Sequence, residues 1–270
     1  MRPAVKPTGD SGQGAGRPPY AAQRQRILLQ TLRSAGRIDV SDMAGRLSVS
    51  AESIRKDLTE LERQGLVRRV HGGAVAVEQL SFEPAVAART EYAEEKRRIA
   101  RTALREVPHD GAVLIDAGST TACLAELMPA DRDLAVFTSA LTIALTLLTR
   151  PRLTVHTLGG RVRSRTSAEV DNWAIRSLSE IRVDVAFLGT NGITVDHGLS
   201  TPDGSEAAVK RLMIKAARRR ILLADHSKVG RTSLFKHGDL SDIDLLITDT
   251  GMADADVRRF EDAGVKVVRA

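Results

Sequence analysis

The amino-acid sequence predicts an α/β protein in two parts. A small three-helix domain closed by a two-stranded ribbon precedes a larger, mostly parallel α/β domain. Three observations predict this. The run Ser50-Ala51-Glu52-Ser53-Ile54-Arg55-Lys56-Asp57-Leu58 has helical spacing behind a Ser cap, and Leu66-Val67-Arg68-Arg69-Val70-His71-Gly72-Gly73-Ala74 spells a ribbon turning on two glycines. From about residue 112 onward, short apolar strands alternate with amphipathic helices, the pattern of a parallel sheet covered on both faces. Finally, the net charge of +6 is concentrated at the N-terminal end of the chain.

Residues 1–19 are polar and punctuated by Pro3, Pro7, Pro18, Pro19, Gly9, Gly12, Gly14 and Gly16, so a disordered tail is expected there. Residues 20–77 form the first domain. Its first helix is expected from about Ala21 to Ser34, with Ile27, Leu28 and Leu32 on one face and Gly36 as its stop. Arg37-Ile38-Asp39-Val40 makes a short extended link, and Ser41-Asp42 is expected to cap a second helix carrying Met43, Ala44 and Leu47. Ser50 caps the third helix, with Ser53 at the third position after it. There Ile54, Leu58 and Leu61 share the inward face, leaving Ala51, Glu52, Arg55, Lys56 and Thr59 outward. Gly65 is expected to stop that helix. A short basic helix backed by a basic ribbon is the layout of a winged helix-turn-helix that lies on duplex DNA.

The charge distribution agrees. Residues 1–19 hold three basic residues against one acidic, residues 20–77 hold ten against six, and residues 78–270 hold 27 of each sign. The positive excess sits where phosphate neutralisation requires it. Asp57, acidic within the third helix, is expected to brace an Arg or a backbone amide. Arg55 can contact guanine through two bonds, whereas Lys56 acts as a point charge.

Residues 78–95, with Pro84 and many charges, read as a linker into a helix from about Glu94 to Glu106. Residues 96–270 then alternate. Strands are expected at 112–116, 134–137, 153–157, 183–188, 220–224, 245–248 and 265–268, and helices at 121–128, 141–148, about 168–178 and 207–217. Ligands of such sheets bind at the carboxyl ends of the strands. Those ends carry Asp116-Ala117-Gly118-Ser119-Thr120-Thr121, Thr138-Ser139-Ala140, Gly159-Gly160, Gly189-Thr190-Asn191-Gly192 and Asp225-His226-Ser227-Lys228. Gly118 with the following hydroxyls, at a helix N-terminus, makes a natural phosphate seat; a plain capping turn is the alternative.

A single cysteine, Cys123, sits in an apolar helical pattern and fits a structural thiol in a reducing compartment. No run of about 18 apolar residues exists, so no membrane span is expected and a cytoplasmic location is. The histidines lack metal-ligand spacing, and no cofactor is expected.

Taken together, the helix Ile54-Arg55-Lys56-Asp57-Leu58 and the wing His71-Gly72-Gly73-Ala74 resemble the N-terminal domain of DeoR-type transcriptional regulators. Ser53 and Lys56 stand where that family usually has Thr and Arg. The motif order from about residue 95 onward resembles the same family's effector domain, related in fold to ribose-5-phosphate isomerase. The resemblance implies a repressor of a carbohydrate operon that binds double-stranded operator DNA as a homo-oligomer and answers to a phosphorylated sugar. It implies Ser50, Ser53, Arg55, Lys56, Arg68, Arg69 and His71 as the DNA-contacting set. Gly118, Ser119, Thr120 and Thr121 become the phosphate loop, with Lys228 as a cation for the same anion. Asp116, Asn191, Glu206, Lys210 and Asp225 would face sugar hydroxyls or support the loops. Ser139 replaces a frequent Asn, and Asp171-Asn172-Trp173 departs from the family pattern. Trp173 is expected in the core, with stacking on a ligand as the alternative.

The competing function is a sugar-phosphate isomerase-like enzyme fused to a DNA-binding domain, with Glu206 and Lys210 as relics of the active site. An i,i+4 surface ion pair explains the same spacing, and a fused DNA-binding domain favours sensing over turnover.

Overall fold

The computed structural model describes residues 19–35, 37–63, 66–70, 72–76, 83 and 85–270. Residues 1–18 of the tail expected over 1–19, the expected helix stops at Gly36 and Gly65, and His71 lie outside the described residues. The chain divides into two compact units, Met1–Gln79 and Leu80–Ala270, the division falling inside the stretch expected to be a linker.

The first unit runs α1 (Ala21–Ala35), β1 (Arg37–Asp39), α2 (Val40–Leu47), α3 (Ala51–Arg63), β2 (Val67–Val70) and β3 (Gly73–Ala76). Leu28 and Leu32 of α1 bury against Met43 of α2, Ile54, Leu58 and Leu61 of α3, and Val67 of β2. This is the inward face that the i,i+3/i+4 spacing requires. Two details differ from expectation. Arg37–Asp39 of the expected 37–40 link is a true strand, completing an antiparallel sheet of order β1-β3-β2, and Val40 already belongs to α2. That pairing needs a glycine: a Cβ on Gly73 would lie 1.9 Å from the Ile38 carbonyl oxygen. The cap of α2 is Asp39, not Ser41-Asp42. Its side chain accepts from the amides of Ser41 (2.7 Å) and Asp42 (3.3 Å), because the chain turns helical directly after β1, with Val40 buried.

The second unit is built on seven parallel strands. In chain order these are β4 (Asp110–Ile115), β5 (Asp133–Thr138), β6 (Leu153–Thr157), β9 (Val183–Leu188), β12 (Ala217–Leu223), β14 (Leu245–Thr248) and β15 (Lys266–Arg269). The intervening helices are α4 (Ala93–Ala103), α5 (Ser119–Leu127), α6 (Leu141–Leu147), α7 (Asp171–Ser179), α8 (Gly204–Ala216) and α9 (Asp254–Asp262). Alternation within strands explains why each reads as apolar throughout. Val113, Ile115, Val185, Phe187, Ile221 and Leu223 pack with Ile99 of α4 and Leu124 of α5. Leu114, Ala186, Leu188, Leu222 and Leu246 face the other way, onto Val209 and Met213 of α8 and Phe260 of α9.

Strand order is β15-β14-β12-β9-β4-β5-β6. The chain proceeds outward from β4 through β5 to β6, then returns to the other side of β4 and proceeds through β9, β12, β14 and β15. The reversal point therefore lies between β4 and β9, where an open α/β sheet has its crevice. Smaller pieces surround that crevice: the hairpin β7 (Arg161–Arg163) with β8 (Ala168–Val170), and the antiparallel sheet of β10 (Gly192–Thr194), β11 (Gly198–Thr201) and β13 (Phe235–Gly238).

The helix expected over about 168–178 begins only at Asp171. Residues 168–170 are drawn into strand pairing instead: Ala168 opposes Arg163, and the Glu169 amide donates to the Ser139 carbonyl at 2.7 Å. Trp173 is 74% exposed, contrary to the expectation of a core residue. On α7 the buried positions are Ala174 and Leu178, four apart, and Trp173 precedes Ala174 by one residue, roughly 100° round the helix. Cys123 is half-buried against the core, and burial pushes its thiol up from the ordinary value. Among the described residues, no helix is long and apolar enough to cross a membrane.

Candidate functional site

On the first unit the candidate nucleic-acid surface is the outer face of α3 together with the wing. Ser50 Oγ accepts from the Ser53 amide at 3.1 Å and lies 3.0 Å from Ser53 Oγ, so both hydroxyls serve the helix start. Arg55 and Lys56 are exposed. The nearest carboxylate to Arg55 is Glu52 at 3.3 Å, an exposed i,i+3 pair of the kind worth little in water. Thr59 joins helix to wing: its hydroxyl donates to the Arg55 carbonyl (2.9 Å) and accepts from Arg69 Nη1 (3.2 Å). Arg69 is fixed further by its amide, which donates to Glu62 at 2.8 Å. Arg68 lies on β2 opposite Val75, with its side chain outside the described set. Asp57 faces inward: it is buried and takes Arg24 of α1 at 2.7 Å, which removes its charge from the outer face.

On the second unit, the loops after β4 and β9 and the start of α8 enclose a pocket of about 470 Å³ including its open mouth. Eight of the ten residues expected to serve an effector line it: Gly118, Ser119, Thr120, Thr121, Asn191, Glu206, Lys210 and Lys228. Gly118 caps α5 with no side-chain bond to the first-turn amides, so these point from the helix start without a side-chain acceptor. The Thr121 hydroxyl is used within the loop, donating to the Gly118 carbonyl at 3.0 Å.

Asp116 and Asp225 stand behind the wall, where they hold loops. Asp116, fully buried at the end of β4, accepts from the Gly189 amide (2.9 Å), the Ala117 amide (2.8 Å) and Lys210 Nζ. Lys210 also donates to the Gly189 carbonyl at 3.1 Å. One buried ion pair thus ties β4, β9 and α8 together at the reversal point. Burial pushes the Asp116 carboxyl up from its ordinary value while Lys210 pulls it back down. Asp225 accepts from the amide (3.1 Å) and hydroxyl of Ser227, shaping the turn that presents Lys228. Burial lowers the Lys228 ammonium below its ordinary value, with Asp225 opposing.

Glu206 and Lys210 do not pair with each other, so an i,i+4 surface ion pair does not describe them. Glu206 is buried and accepts from Arg163 Nη1 and the Thr166 hydroxyl. Asn191 accepts from the Thr201 hydroxyl at 3.0 Å. The neighbouring Thr190 hydroxyl contacts the Gly192 (2.8 Å) and Ser200 (3.0 Å) carbonyls and His237 Nε2 (3.2 Å). Burial drives the His237 imidazole well below its ordinary value, so it is neutral at pH 7. Sequence reasoning missed Arg89, Thr166 and Thr190 in the pocket wall, and Arg163 behind it. Thr190 sat within a strand-end loop already singled out, whereas Arg89 lay in the expected linker with no signal to separate it from other charges there. Among the described residues, no group of three His, Cys, Asp or Glu could hold a metal ion.

Residues 24–80 match the model of the DeoR-like helix-turn-helix domain, and residues 91–250 match the DeoR C terminal sensor domain. The chain belongs to the DeoR family of transcriptional regulators. Its relatives in that family include the HTH-type transcriptional regulator GlpR of Haloferax volcanii, 38% identical over 249 residues, covering 92% of this chain and 97% of the relative. The glycerol-3-phosphate regulon repressor of Escherichia coli K12 is 31% identical over 227 residues, covering 84% of this chain and 90% of the relative. Ribose 5-phosphate isomerase A from Methanocaldococcus jannaschii is a structural neighbour with a TM-score of 0.39 and 16% identity, covering 52% of this DeoR-family chain and 55% of that one.

Proposed function

We propose that this DeoR-family regulator is a cytoplasmic, homo-oligomeric repressor of a carbohydrate-metabolism operon, released from its operator by a phosphorylated sugar. The observation that carries the reading is the pocket at the β4/β9 reversal. It sets the amide-bearing start of α5 and the Lys228 ammonium against a wall of hydroxyl-matching groups, Thr190, Asn191 and Glu206. Positive charge with oriented amides suits phosphate, and carboxylate and amide side chains suit sugar hydroxyls. The Escherichia coli relative is named for a regulon of a phosphorylated polyol, which supports the same ligand class. Repeated half-sites read by paired wings would give the specificity that one domain lacks.

Sensing rather than turnover fits the site. Moving a carbon-bound proton needs a base within hydrogen-bond reach of it. Here the Glu206 carboxylate is engaged by Arg163 and Thr166, and Lys210 by Asp116. A sensor needs only that its ligand bind two arrangements of the protein with different affinity.

Thermal melting with a panel of sugar phosphates tests the ligand assignment. At about a hundredfold over Kd, a bound sugar phosphate adds about 2.7 kcal/mol, several degrees of Tm. The unphosphorylated sugar should give almost no shift, and Lys228→Ala should abolish the response while leaving operator binding intact. Equal stabilisation by the unphosphorylated sugar would refute a phosphate seat at Gly118–Thr121.

A further inference from the structure

Ten residues past the unit boundary, Arg89 joins the pocket wall. Glu83, four residues beyond Gln79, is buried to 3% exposure, and its carboxylate is divided between two guanidinium groups. Arg89 Nη2 donates to Glu83 Oε1 at 2.8 Å, and Arg163 Nη2 donates to Glu83 Oε2 at 2.9 Å. One cation belongs to the pocket wall and the other stands behind it. Arg89 lines the pocket beside Lys228 and the Gly118–Thr121 loop, and Arg163 holds the pocket residue Glu206.

Main-chain bonds divide the segment into two ends. On the near side, Arg165 Nη1 donates to the Glu83 carbonyl (2.6 Å) and the Val86 amide to the Arg165 carbonyl (2.7 Å). On the far side, the buried Lys96 Nζ grips the carbonyls of Arg89 (3.0 Å) and Glu91 (2.6 Å) and anchors them to α4. The Arg89 side chain can therefore change partner while its main chain stays in place.

Building on the phosphate reading of the pocket, we infer that Arg89 is a ligand of the effector's phosphate, and that it reaches this anion by leaving the Glu83 carboxylate. A phosphate carries more charge than a carboxylate and accepts a guanidinium fork equally well, so it competes directly for Arg89. The exchange leaves Glu83 with one guanidinium in place of two. It loosens Glu83 and residues 85–88, so occupancy of the pocket is felt there.

The experiment uses the full chain with inorganic phosphate as probe. Affinity is read from thermal-shift titration, and amide exchange over 83–92 is read by mass spectrometry. The wild type should bind phosphate and exchange faster at 83–88 when it does so. Arg89→Met should weaken phosphate about ten- to hundredfold, the loss of a charge-assisted bond, with Arg89→Lys in between. Glu83→Gln should bind phosphate more tightly than wild type, since the competing charge is gone, and should show fast exchange before any phosphate is added. A purely structural role for Glu83 would not tighten binding. Wild-type affinity in Arg89→Met, or tightening absent from a folded Glu83→Gln, overturns the inference and leaves the pocket reading standing. No binding to the wild type overturns both.

Discussion

Replacing Lys210 by Met is expected to cost about 3–5 kcal/mol of stability at pH 8, the range for removing one partner of a buried ion pair. Asp116 and Lys210 are 2% and 4% exposed, and the carboxylate would be left with amides alone as its partners. The penalty should depend on pH in a defined direction. Burial already raises the Asp116 carboxyl, and Lys210 is the main influence lowering it, so its removal raises the folded value further. A carboxyl whose folded pKa exceeds its unfolded one, about 3.9 for Asp, binds its proton more tightly when folded. Stability is then fully present below the unfolded value and is lost as pH rises through the folded one. The deficit of Lys210→Met should therefore shrink as pH is lowered from 8 toward 5. Lys210→Met/Asp116→Asn should recover most of the loss at every pH, because no buried charge remains. Denaturant melts across this pH range check both statements. A deficit below about 1 kcal/mol, or one indifferent to pH, would show that the pair does not hold the reversal point together.

The second large effect is expected on DNA. Arg55→Ala/Lys56→Ala should lower operator affinity about a hundredfold or more at 0.15 M salt, with folding intact because both side chains are exposed. A bidentate Arg–guanine contact contributes about 1–3 kcal/mol of base discrimination. Each lost phosphate contact removes about 0.9 from the slope of log K against log salt. Lys56→Ala alone should flatten that slope, and Arg55→Ala alone should blur base preference. The weak Arg55–Glu52 pair leaves Arg55 free to turn outward, while Thr59 holds Arg69 of the wing beside it. Equal operator affinity in the double variant would remove α3 from the interface.

Where local chemistry decides structure, the sequence was informative. Ser50 and Ser53 announced the start of α3, and the buried set Ile54, Leu58 and Leu61 followed from helical spacing alone. Runs such as Leu114-Ile115 and Phe187-Leu188 could be placed as strands because both sheet faces are covered. Where distant partners decide, local pattern misled. Ala168–Val170 carries helix-compatible residues but pairs with Arg161–Arg163, and Arg37–Asp39 becomes a strand because β3 lies alongside.

The site divides in the same way. Gly118–Thr121 and Lys228 were legible because strand-end loops in a parallel sheet converge. The partners of Lys210 and Glu206 were not, since Asp116 lies 94 residues from Lys210 and Arg163 lies 43 from Glu206. Arg89 was hidden for a related reason: only the fold brings it alongside Lys228 and the Gly118–Thr121 loop.

Control of DNA binding by a phosphorylated ligand of the second unit can be read by fluorescence anisotropy. An operator duplex selected from a random pool is titrated with the full chain at fixed salt, with and without a sugar phosphate that stabilises the protein in thermal melts. The sugar phosphate should weaken operator binding about tenfold or more, a coupling of about 1.4 kcal/mol, and Lys228→Ala should bind DNA as well as wild type without responding. Operator affinity that stays the same in wild type while the ligand fills the pocket would contradict such control.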